Sequence, residues 1–193
     1  IEVVGNKILL NKKPIFLKGV NIHEENPYLG RRAFSQEDAQ FLLSAAKELG
    51  CNLVRLAHYP HNEYMVREAE KMGLMVWDEL PIYQHIGFSD SLVPAKMKRM
   101  LNEMVQRDKN SCAVTIWSLS NETYSNSPNR DKELIELTKK CRAIDSTRLI
   151  THVINTQEYK DNTFDVQDTL YKYSDIISIN EYLGWYVPWQ GNA

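Results

Sequence analysis

The chain has 193 residues, of which 43% are apolar and 25% charged, and its formal net charge is −2. This composition is typical of a globular domain and excludes a disordered chain, a collagen and a coiled coil. No cluster of lysine and arginine stands out, so we expect no nucleic-acid partner. No segment approaches the run of about 20 apolar residues that a membrane helix needs, so we expect no membrane insertion.

The start of the chain and its cysteines give two further expectations. The sequence begins with Ile1, so we expect an excised or processed segment of a longer protein. It shows no basic stretch followed by an apolar run, so we expect no signal peptide within this segment. Its compartment is not indicated. Cys51, Cys112 and Cys141 have no metal-like spacing, and we expect each to be a small apolar side chain.

Strand-like and helix-like patterns alternate along the chain. Residues 2–17 predict a small β-hairpin with turns at Gly5-Asn6 and at Asn11–Pro14. Apolar, β-branched runs predict six later strands, at residues 16–21, 53–58, 74–78, 114–119, 149–154 and 176–180.

Four helices are predicted between these strands, and a fifth over residues 165–173. Ser35 with Asp38 resembles a capping box, and Gly50 suits the position after that helix. The second helix runs from about Asn62 to Gly73. The third and fourth helices carry core-facing apolar stripes, formed by Met97, Met100, Leu101, Met104 and Val105 and by Leu134, Leu137, Cys141 and Ile144.

Alternating strands and helices predict an α/β fold with a parallel sheet. An open nucleotide-binding sheet needs a glycine-rich first turn, whereas the first strand here continues into Asn21-Ile22-His23-Glu24. The polar strand ends favour a (β/α)8 barrel, which requires roughly 250 residues. We therefore expect an incomplete barrel of about six βα units over residues 16–193, preceded by a hairpin over residues 1–15.

The strongest candidate site is the strand that ends in Asn121-Glu122. Apolar surroundings destabilise the charged form of a carboxyl, as a general acid for a glycosidic oxygen requires. Asn121 can donate a hydrogen bond to a sugar hydroxyl. The structural alternative is a helix cap after a buried strand.

Other strand ends carry polar and aromatic residues that favour a sugar-sized cleft over separate structural roles. Arg55 would be costly to bury alone, and either Asp78 or Glu79 can pair with it. His58 ends the predicted second strand, and Trp185 follows the sixth. Each of these residues has a structural alternative, as a buried ion pair, a core histidine or a packing aromatic.

An ordered set of motifs closely resembles the catalytic barrel of glycoside hydrolase family two, which includes β-galactosidases, β-glucuronidases and β-mannosidases. The motifs are Gly19–Glu24, Asn52–Arg55, His58–Pro60, Gly73–Glu79, Trp117–Glu122, Asp145–Arg148 and Asn180–Trp185. The resemblance implies that Glu122 is the acid/base and that Asn121 contacts the sugar 2-hydroxyl. The cleft residues that it implies are His23, Arg55, His58, Tyr182 and Trp185.

The resemblance also implies a retaining mechanism whose nucleophile is a glutamate at the end of a seventh strand, which we expect outside this chain. Glu181 is an alternative nucleophile, although strand alternation separates it from the face of Tyr182. His23, Glu24 and Glu25 do not have the spacing of a metal site. We expect neither a metal nor an organic cofactor.

Three functions agree with these observations. The first is a retaining β-glycosidase whose substrate is a β-glycoside and whose isolated segment is inactive. The second is a cellulase- or mannanase-like barrel, and the third is a barrel remnant that binds carbohydrate without catalysis. Because an incomplete barrel has unpaired edge strands, we also expect the segment to associate with itself.

Overall fold

The structure is a computed structural model that describes residues 1–124, 128–155, 157–160 and 163–182. Its strands are β1 Glu2–Val4, β2 Lys7–Leu10, β3 Lys13–Ile15, β4 Gly19–Ile22, β5 Glu25–Asn26, β6 Arg31–Arg32, β7 Leu53–Leu56, β8 Met75–Glu79, β9 Val114–Asn121, β10 Leu149–Asn155, β11 Gln157–Lys160, β12 Thr163–Asp165 and β13 Ser178–Asn180. Its helices are α1 Gln36–Glu48, α2 Glu63–Met72, α3 Leu92–Asp108, α4 Pro128–Ile144 and a 3-10 helix, Thr169–Tyr173.

Six strands form one parallel sheet in the spatial order β13, β10, β9, β8, β7 and β4. The four α-helices connect successive strands of this sheet and cover one of its faces. The sheet curls into a half-barrel, which confirms the prediction of an incomplete (β/α)8 fold. Because all strands are parallel, their carboxyl ends meet at one edge, where the candidate site residues lie.

Alternation divides each strand between the helix-facing side and the concave side of the sheet. On β7, Val54 and Leu56 belong to the main apolar core between sheet and helices. Leu53 belongs to a second apolar cluster, and it lines the concave side together with Arg55. Gly19 is required beside this strand, because a Cβ there would lie 2.7 Å from the backbone oxygen of Leu53.

The first 15 residues form a three-stranded antiparallel sheet, β1-β2-β3, rather than a simple hairpin. Ile1 and Ile8 pack against the second apolar cluster, which contains Leu53, Ile116 and Leu149. These residues lie at or near the amino ends of the barrel strands, so the small sheet covers that end of the half-barrel.

The first barrel strand begins later than the sequence predicted, at Gly19 rather than at residue 16. The Lys18 carbonyl accepts from the Asn52 and Leu53 N–H groups at 2.8 and 3.2 Å, and the Asn52 side chain makes the other bonds of this segment. Asn52 accepts from the Lys18 N–H at 2.8 Å, and its amide donates to the Phe16 carbonyl at 2.8 Å.

The helix ends follow the predicted signals because those signals are local. Ser35 and Asp38 form a complete capping box at the start of α1. The Asn62 side chain accepts from the Tyr64 N–H at 3.1 Å and caps α2. Gly73 ends α2 in the left-handed conformation at φ 67°, which glycine adopts at little cost.

The prediction of a fifth helix over residues 165–173 is confirmed only in part. The strand β12 ends at Asp165, and the helix that follows is a single 3-10 helix, Thr169–Tyr173. Asp168 has an extended backbone, and its side chain accepts from the Leu170 N–H at 3.0 Å. Asp168 also binds the guanidinium of Arg130 on α4 at 2.6 Å, so a tertiary ion pair fixes the start of the short helix.

Residues 1–193 expressed alone are expected to self-associate. In the part of the chain that the structure describes, β4 and β13 each pair with a single neighbour, and an unpaired strand edge is a template for association. Light scattering over a concentration series should show a rising average mass. A monomer at high concentration with a cooperative melt would contradict this expectation.

Candidate active site

The side chains at the carboxyl edge of the sheet form one hydrogen-bonded network. It joins Arg55 on β7, Glu79 on β8, Asn121 on β9 and Asn180 on β13. The network therefore extends across the sheet from β7, the neighbour of the outermost strand β4, to β13, the outermost strand on the other side.

A buried ion pair between Arg55 and Glu79 anchors this network. Arg55 donates from Nε to Glu79 Oε2 at 2.8 Å and from Nη2 to Oε1 at 2.9 Å. Glu79 also accepts from the Ser118 hydroxyl at 2.8 Å, and its side chain is fully buried. Of the two predicted partners of Arg55, the structure therefore selects Glu79.

Asp78 faces the opposite side of β8, toward α3. It is fully buried, and burial together with the neighbouring charge of Asp108 raises the pKa of Asp78 well above its usual value. The Arg107 charge opposes this shift. Alternation thus explains why two consecutive carboxyls have different partners.

A β-bulge in β9 turns Asn121 toward the concave side. The register with β10 passes from Thr151–Ser118 to Val153–Asn121, so β9 has one residue more than its partner. Ser118 already faces inward, and simple alternation would place Asn121, three residues later, on the helix-facing side. The extra residue reverses that parity.

The network fixes which end of the Asn121 amide faces the cleft. Arg55 Nη2 lies 2.8 Å from the amide oxygen, and Asn180 Nδ2 lies 2.9 Å from the same atom. Because a guanidinium can only donate, the atom that faces it must be the amide oxygen. The Asn121 Nδ2 is thereby turned away from Arg55.

Glu122 stands at the turn that follows β9. Its backbone is left-handed at φ 51°, which is uncommon for a residue other than glycine, and its N–H donates to the Val153 carbonyl at 2.8 Å. The side-chain Oε1 accepts from Asn180 Nδ2 at 2.5 Å and from the Tyr182 hydroxyl. Two donors from the sixth strand and its exit therefore position this carboxyl.

The remaining described cleft residues line a cavity of about 980 Å³ on the concave side, among them His23, Arg55, His58 and Tyr182. The rings of His23 and His58 meet edge to face, with centroids 5.4 Å apart. His58 Nδ1 lies 2.6 Å from Glu79 Oε1 and must carry the proton, since a carboxylate only accepts. The peptide bond before His58 is cis.

The structure brings together six of the predicted site residues, namely His23, Arg55, His58, Asn121, Glu122 and Tyr182. Trp185 lies outside the described residues. The predicted site omitted Asn180, which donates to Asn121 and Glu122 and accepts from Arg55. Its position as the last residue of the sixth strand was the available signal. In the described ranges, no cluster of three or more His, Cys, Asp or Glu residues suits a metal ion.

His152 on β10 is buried on the helix-facing side of the sheet, where it contacts α4. Thr138 Oγ1 donates to the Leu134 carbonyl at 2.9 Å, so it accepts from His152 Nε2 at 2.8 Å. The Ser120 hydroxyl then donates to His152 Nδ1 at 2.8 Å. Burial lowers the pKa of His152 from 6.5 to about 3, and the positive charge of Arg130 adds to this effect.

His152 is expected to make the protein less stable in mild acid. Below pH 6.5 the imidazole of His152 is protonated in the unfolded chain but stays neutral in the folded chain. The free energy of unfolding therefore falls as the pH drops toward 3. Each pH unit in this window costs about 1.4 kcal/mol. His152→Gln should flatten the change in urea midpoint between pH 7 and pH 5, whereas exposed His85→Gln should not. An unchanged slope in His152→Gln would contradict this assignment.

A parallel half-barrel with a strand-end carboxyl and two asparagines is the architecture of a barrel enzyme with its site at the carboxyl face. Residues 1–191 match the family model described as the TIM barrel domain of glycosyl hydrolases family 2. The chain therefore belongs to glycosyl hydrolase family 2.

Its relatives include β-glucuronidases. The chain is 30% identical to β-glucuronidase of Streptococcus agalactiae over 202 residues, which cover 97% of this chain and 33% of the relative. It is 32% identical to that of Rattus norvegicus over 189 residues, covering 96% of this chain and 28% of the relative. The chain thus spans about a third of the length of these relatives.

Solved structures show the same similarity. The Ruminococcus gnavus β-glucuronidase in complex with uronic isofagomine has a TM-score of 0.82 and 28% identity, over 96% of this chain and 33% of that one. An uncultured Clostridium sp. β-glucuronidase has a TM-score of 0.80 and 31% identity, over 94% and 31% of the two chains. The chain is thus a β-glucuronidase-like family 2 barrel domain, which decides against the cellulase- or mannanase-like alternative. None of the helices in the described ranges is long and apolar enough to cross a membrane.

Proposed function

We propose that this chain supplies the acid/base half of the active site of a retaining β-glucuronidase. The observation that carries the proposal is the position of Glu122, at the tip of the fourth parallel strand, with Asn180 and Tyr182 donating to its Oε1. The names of its relatives supply the sugar, β-glucuronic acid.

In this mechanism Glu122 begins the cycle protonated. It transfers its proton to the glycosidic oxygen while a second carboxylate attacks the anomeric carbon, and the bond from that carbon to the leaving oxygen breaks. Glu122, now ionised, takes a proton from water, whose oxygen attacks the anomeric carbon and releases the second carboxylate. Since both donors bind Oε1 in the described part of the chain, Oε2 is the oxygen that carries the transferred proton.

The rest of the network holds the sugar in place. The Asn121 Nδ2 donates to the 2-hydroxyl, because its amide oxygen is committed to Arg55 and Asn180. Arg55 is therefore a positioning residue that acts through Asn121. His23, His58 and Tyr182 line the cleft around the sugar. The family resemblance implies Trp185 as a further sugar-binding residue, and the substrate is a carbohydrate β-glycoside.

The second carboxylate comes from a part of the parent protein beyond these residues. Retention requires two carboxyls about 5–5.5 Å apart. Glu79 is a poor candidate, since both of its oxygens are taken up by Arg55, Ser118 and His58. The family resemblance implies that the nucleophile is a glutamate at the end of a seventh strand. The division into a lead-in over residues 1–15 and a barrel over 16–193 is part of this proposal, and the separate small sheet supports it.

The proposal is tested with the full-length parent protein and nitrophenyl β-glycosides of glucuronic acid, galactose and mannose. We expect hydrolysis of the glucuronide above the other two, and no turnover by residues 1–193 alone. Preference for another sugar would contradict the assigned substrate. Binding of a glucuronide without hydrolysis by the full-length protein would indicate the non-catalytic alternative.

A further inference from the structure

Arg130 on α4 is a buried cation to which the proposed mechanism gives no role. Its side chain is 1% exposed, and its Nη atoms donate to Asp168 at 2.6 and 2.9 Å and to Asp131 at 2.9 Å. Its Nε donates at 2.9 Å to the hydroxyl oxygen of Thr123. Arg130 therefore connects the residue that directly follows Glu122 to α4 and to the cap of the 3-10 helix.

The two aspartates hold the guanidinium of Arg130 in one orientation. Asp168 binds both Nη atoms, one with each carboxylate oxygen, which is the bidentate geometry that fixes the plane of a guanidinium. Asp131 is itself held by the Thr169 hydroxyl, which donates to it at 2.6 Å. The Nε–H that faces Thr123 is therefore a donor in a fixed position.

The backbone of Glu122 adopts a conformation that needs support from its surroundings. A residue other than glycine keeps a left-handed backbone, here at φ 51°, only where the neighbouring structure imposes it. Before Glu122, the Ser120 side chain bonds to His152, which bonds in turn to α4. After it, Thr123 bonds to Arg130 on the same helix. The helix α4 thus holds the chain on both sides of Glu122.

These contacts fix a different part of Glu122 from the donors in the cleft. Asn180 and Tyr182 bind Oε1, at the end of the side chain. The position of the backbone decides from where the other oxygen, Oε2, approaches the glycosidic oxygen. A displacement of about 1 Å in such a geometry can cost 10²-fold in rate, so proton transfer depends on the backbone contacts as well.

We propose that Arg130 is a positioning residue, which acts through Thr123 to hold Glu122 where it protonates the leaving oxygen. The inference rests on the proposed function, because it takes Glu122 as the acid. Arg130 does not contact the substrate in this proposal. Its contribution is limited to the step in which the proton is transferred.

Thr123→Val in the full-length protein removes the bond to Arg130 and leaves the ion pair with Asp168 in place. The test compares kcat/KM for methyl β-glucuronide, whose leaving group needs a proton, with kcat/KM for 2,4-dinitrophenyl β-glucuronide, whose leaving group does not. We expect a loss of about 10-fold for the methyl substrate and below about 2-fold for the dinitrophenyl substrate. A merely structural role would lower both values by one factor, because the ratio of the two does not depend on how much protein is folded.

Two threonine variants are controls for Thr123→Val. Thr123→Ser keeps the hydroxyl and should recover most of the loss for methyl β-glucuronide. Thr169→Val removes a hydroxyl that bonds to Asp131 instead of to Arg130, and it should leave the ratio of the two kcat/KM values unchanged.

Arg130→Lys tests whether Arg130 and Thr123 act together. Lysine can still pair with Asp168, but it lacks the Nε–H and the rigid fork of the guanidinium. Arg130→Lys alone should lower the ratio about as much as Thr123→Val does. In the Thr123→Val background it should lower the ratio by less than about 2-fold more, since the bond that it affects is already absent.

The outcomes separate the positioning role from the proposed function. Equal losses for the two substrates in Thr123→Val, while the unmodified protein hydrolyses both, would overturn the role of Arg130 and leave the proposed function intact. Losses that multiply in the double variant would also overturn it, because Arg130 would then not act through Thr123. No hydrolysis of either glucuronide by the unmodified protein would overturn the proposed function and the positioning role together.

Discussion

Glu122→Gln is expected to lower kcat/KM of the full-length protein for methyl β-glucuronide by about 10³-fold, within the usual range for a lost general acid. Glutamine keeps the size of the side chain and can still interact with Asn180 and Tyr182, but it has no proton to transfer to the leaving oxygen. The loss should shrink for a dinitrophenyl leaving group, because that group departs without protonation. Initial rates with the two substrates measure this difference.

Two control variants sharpen this prediction. Glu103→Gln changes an exposed carboxyl on α3, 66% exposed, and should leave both rates unchanged. Glu181→Gln tests the alternative second carboxylate, and we expect no loss of the size seen for Glu122. Equal losses of Glu122→Gln for good and poor leaving groups would contradict proton donation by Glu122.

Arg55→Met is expected to destabilise the protein by about 3–5 kcal/mol, as removal of one partner of a buried ion pair does. The substitution leaves the carboxylate of Glu79 fully buried, and it also removes one of the two donors to the Asn121 amide oxygen. The thermal unfolding midpoint should therefore fall by about 10 °C. The activity of the protein that remains folded should fall as well, since Asn121 then keeps only its bond to Asn180, whose own bond to Arg55 is also lost.

The exposed pair of Arg67 and Glu63 offers a matched control for Arg55→Met. Arg67→Met breaks an ion pair with side chains 58% and 46% exposed, and the cost should stay within about 1 kcal/mol. Adding Glu79→Gln to Arg55→Met removes the uncompensated charge and should recover part of the lost stability. A midpoint for Arg55→Met equal to that of Arg67→Met would contradict the role assigned to the pair.

Local signals in the sequence predicted much of the fold. The caps at Ser35, Asn62 and Gly73 depend on neighbouring residues alone, so their helix ends agree with the structure. The alternation of apolar runs predicted the six parallel strands for the same reason. The fifth helix is shorter than predicted and begins at Thr169, after Asp168, whose ion pair with the distant Arg130 is recorded by no short-range pattern.

The candidate site was only partly accessible from the sequence, because part of it depends on register. The bulge in β9 is a difference in residue count between two strands, and neither strand shows it alone. Counting along β9 from Ser118 would have turned Asn121 toward the helices. Asn180 was missed as a site residue because its importance lies in bridging Arg55, Asn121 and Glu122, which are distant in sequence.

Turnover of 2,4-dinitrophenyl β-glucuronide by full-length Glu122→Ala in the presence of azide tests the central claim most directly. If Glu122 is the acid/base, the glucuronyl-enzyme still forms, and azide attacks its anomeric carbon from the face opposite the second carboxylate. Azide should then restore turnover and yield β-glucuronyl azide, identified by its anomeric coupling in proton NMR. Formation of the α-azide would show that Glu122 is the nucleophile. If Glu122→Ala keeps the full activity of the unmodified protein and azide has no effect, Glu122 is neither the acid/base nor the nucleophile.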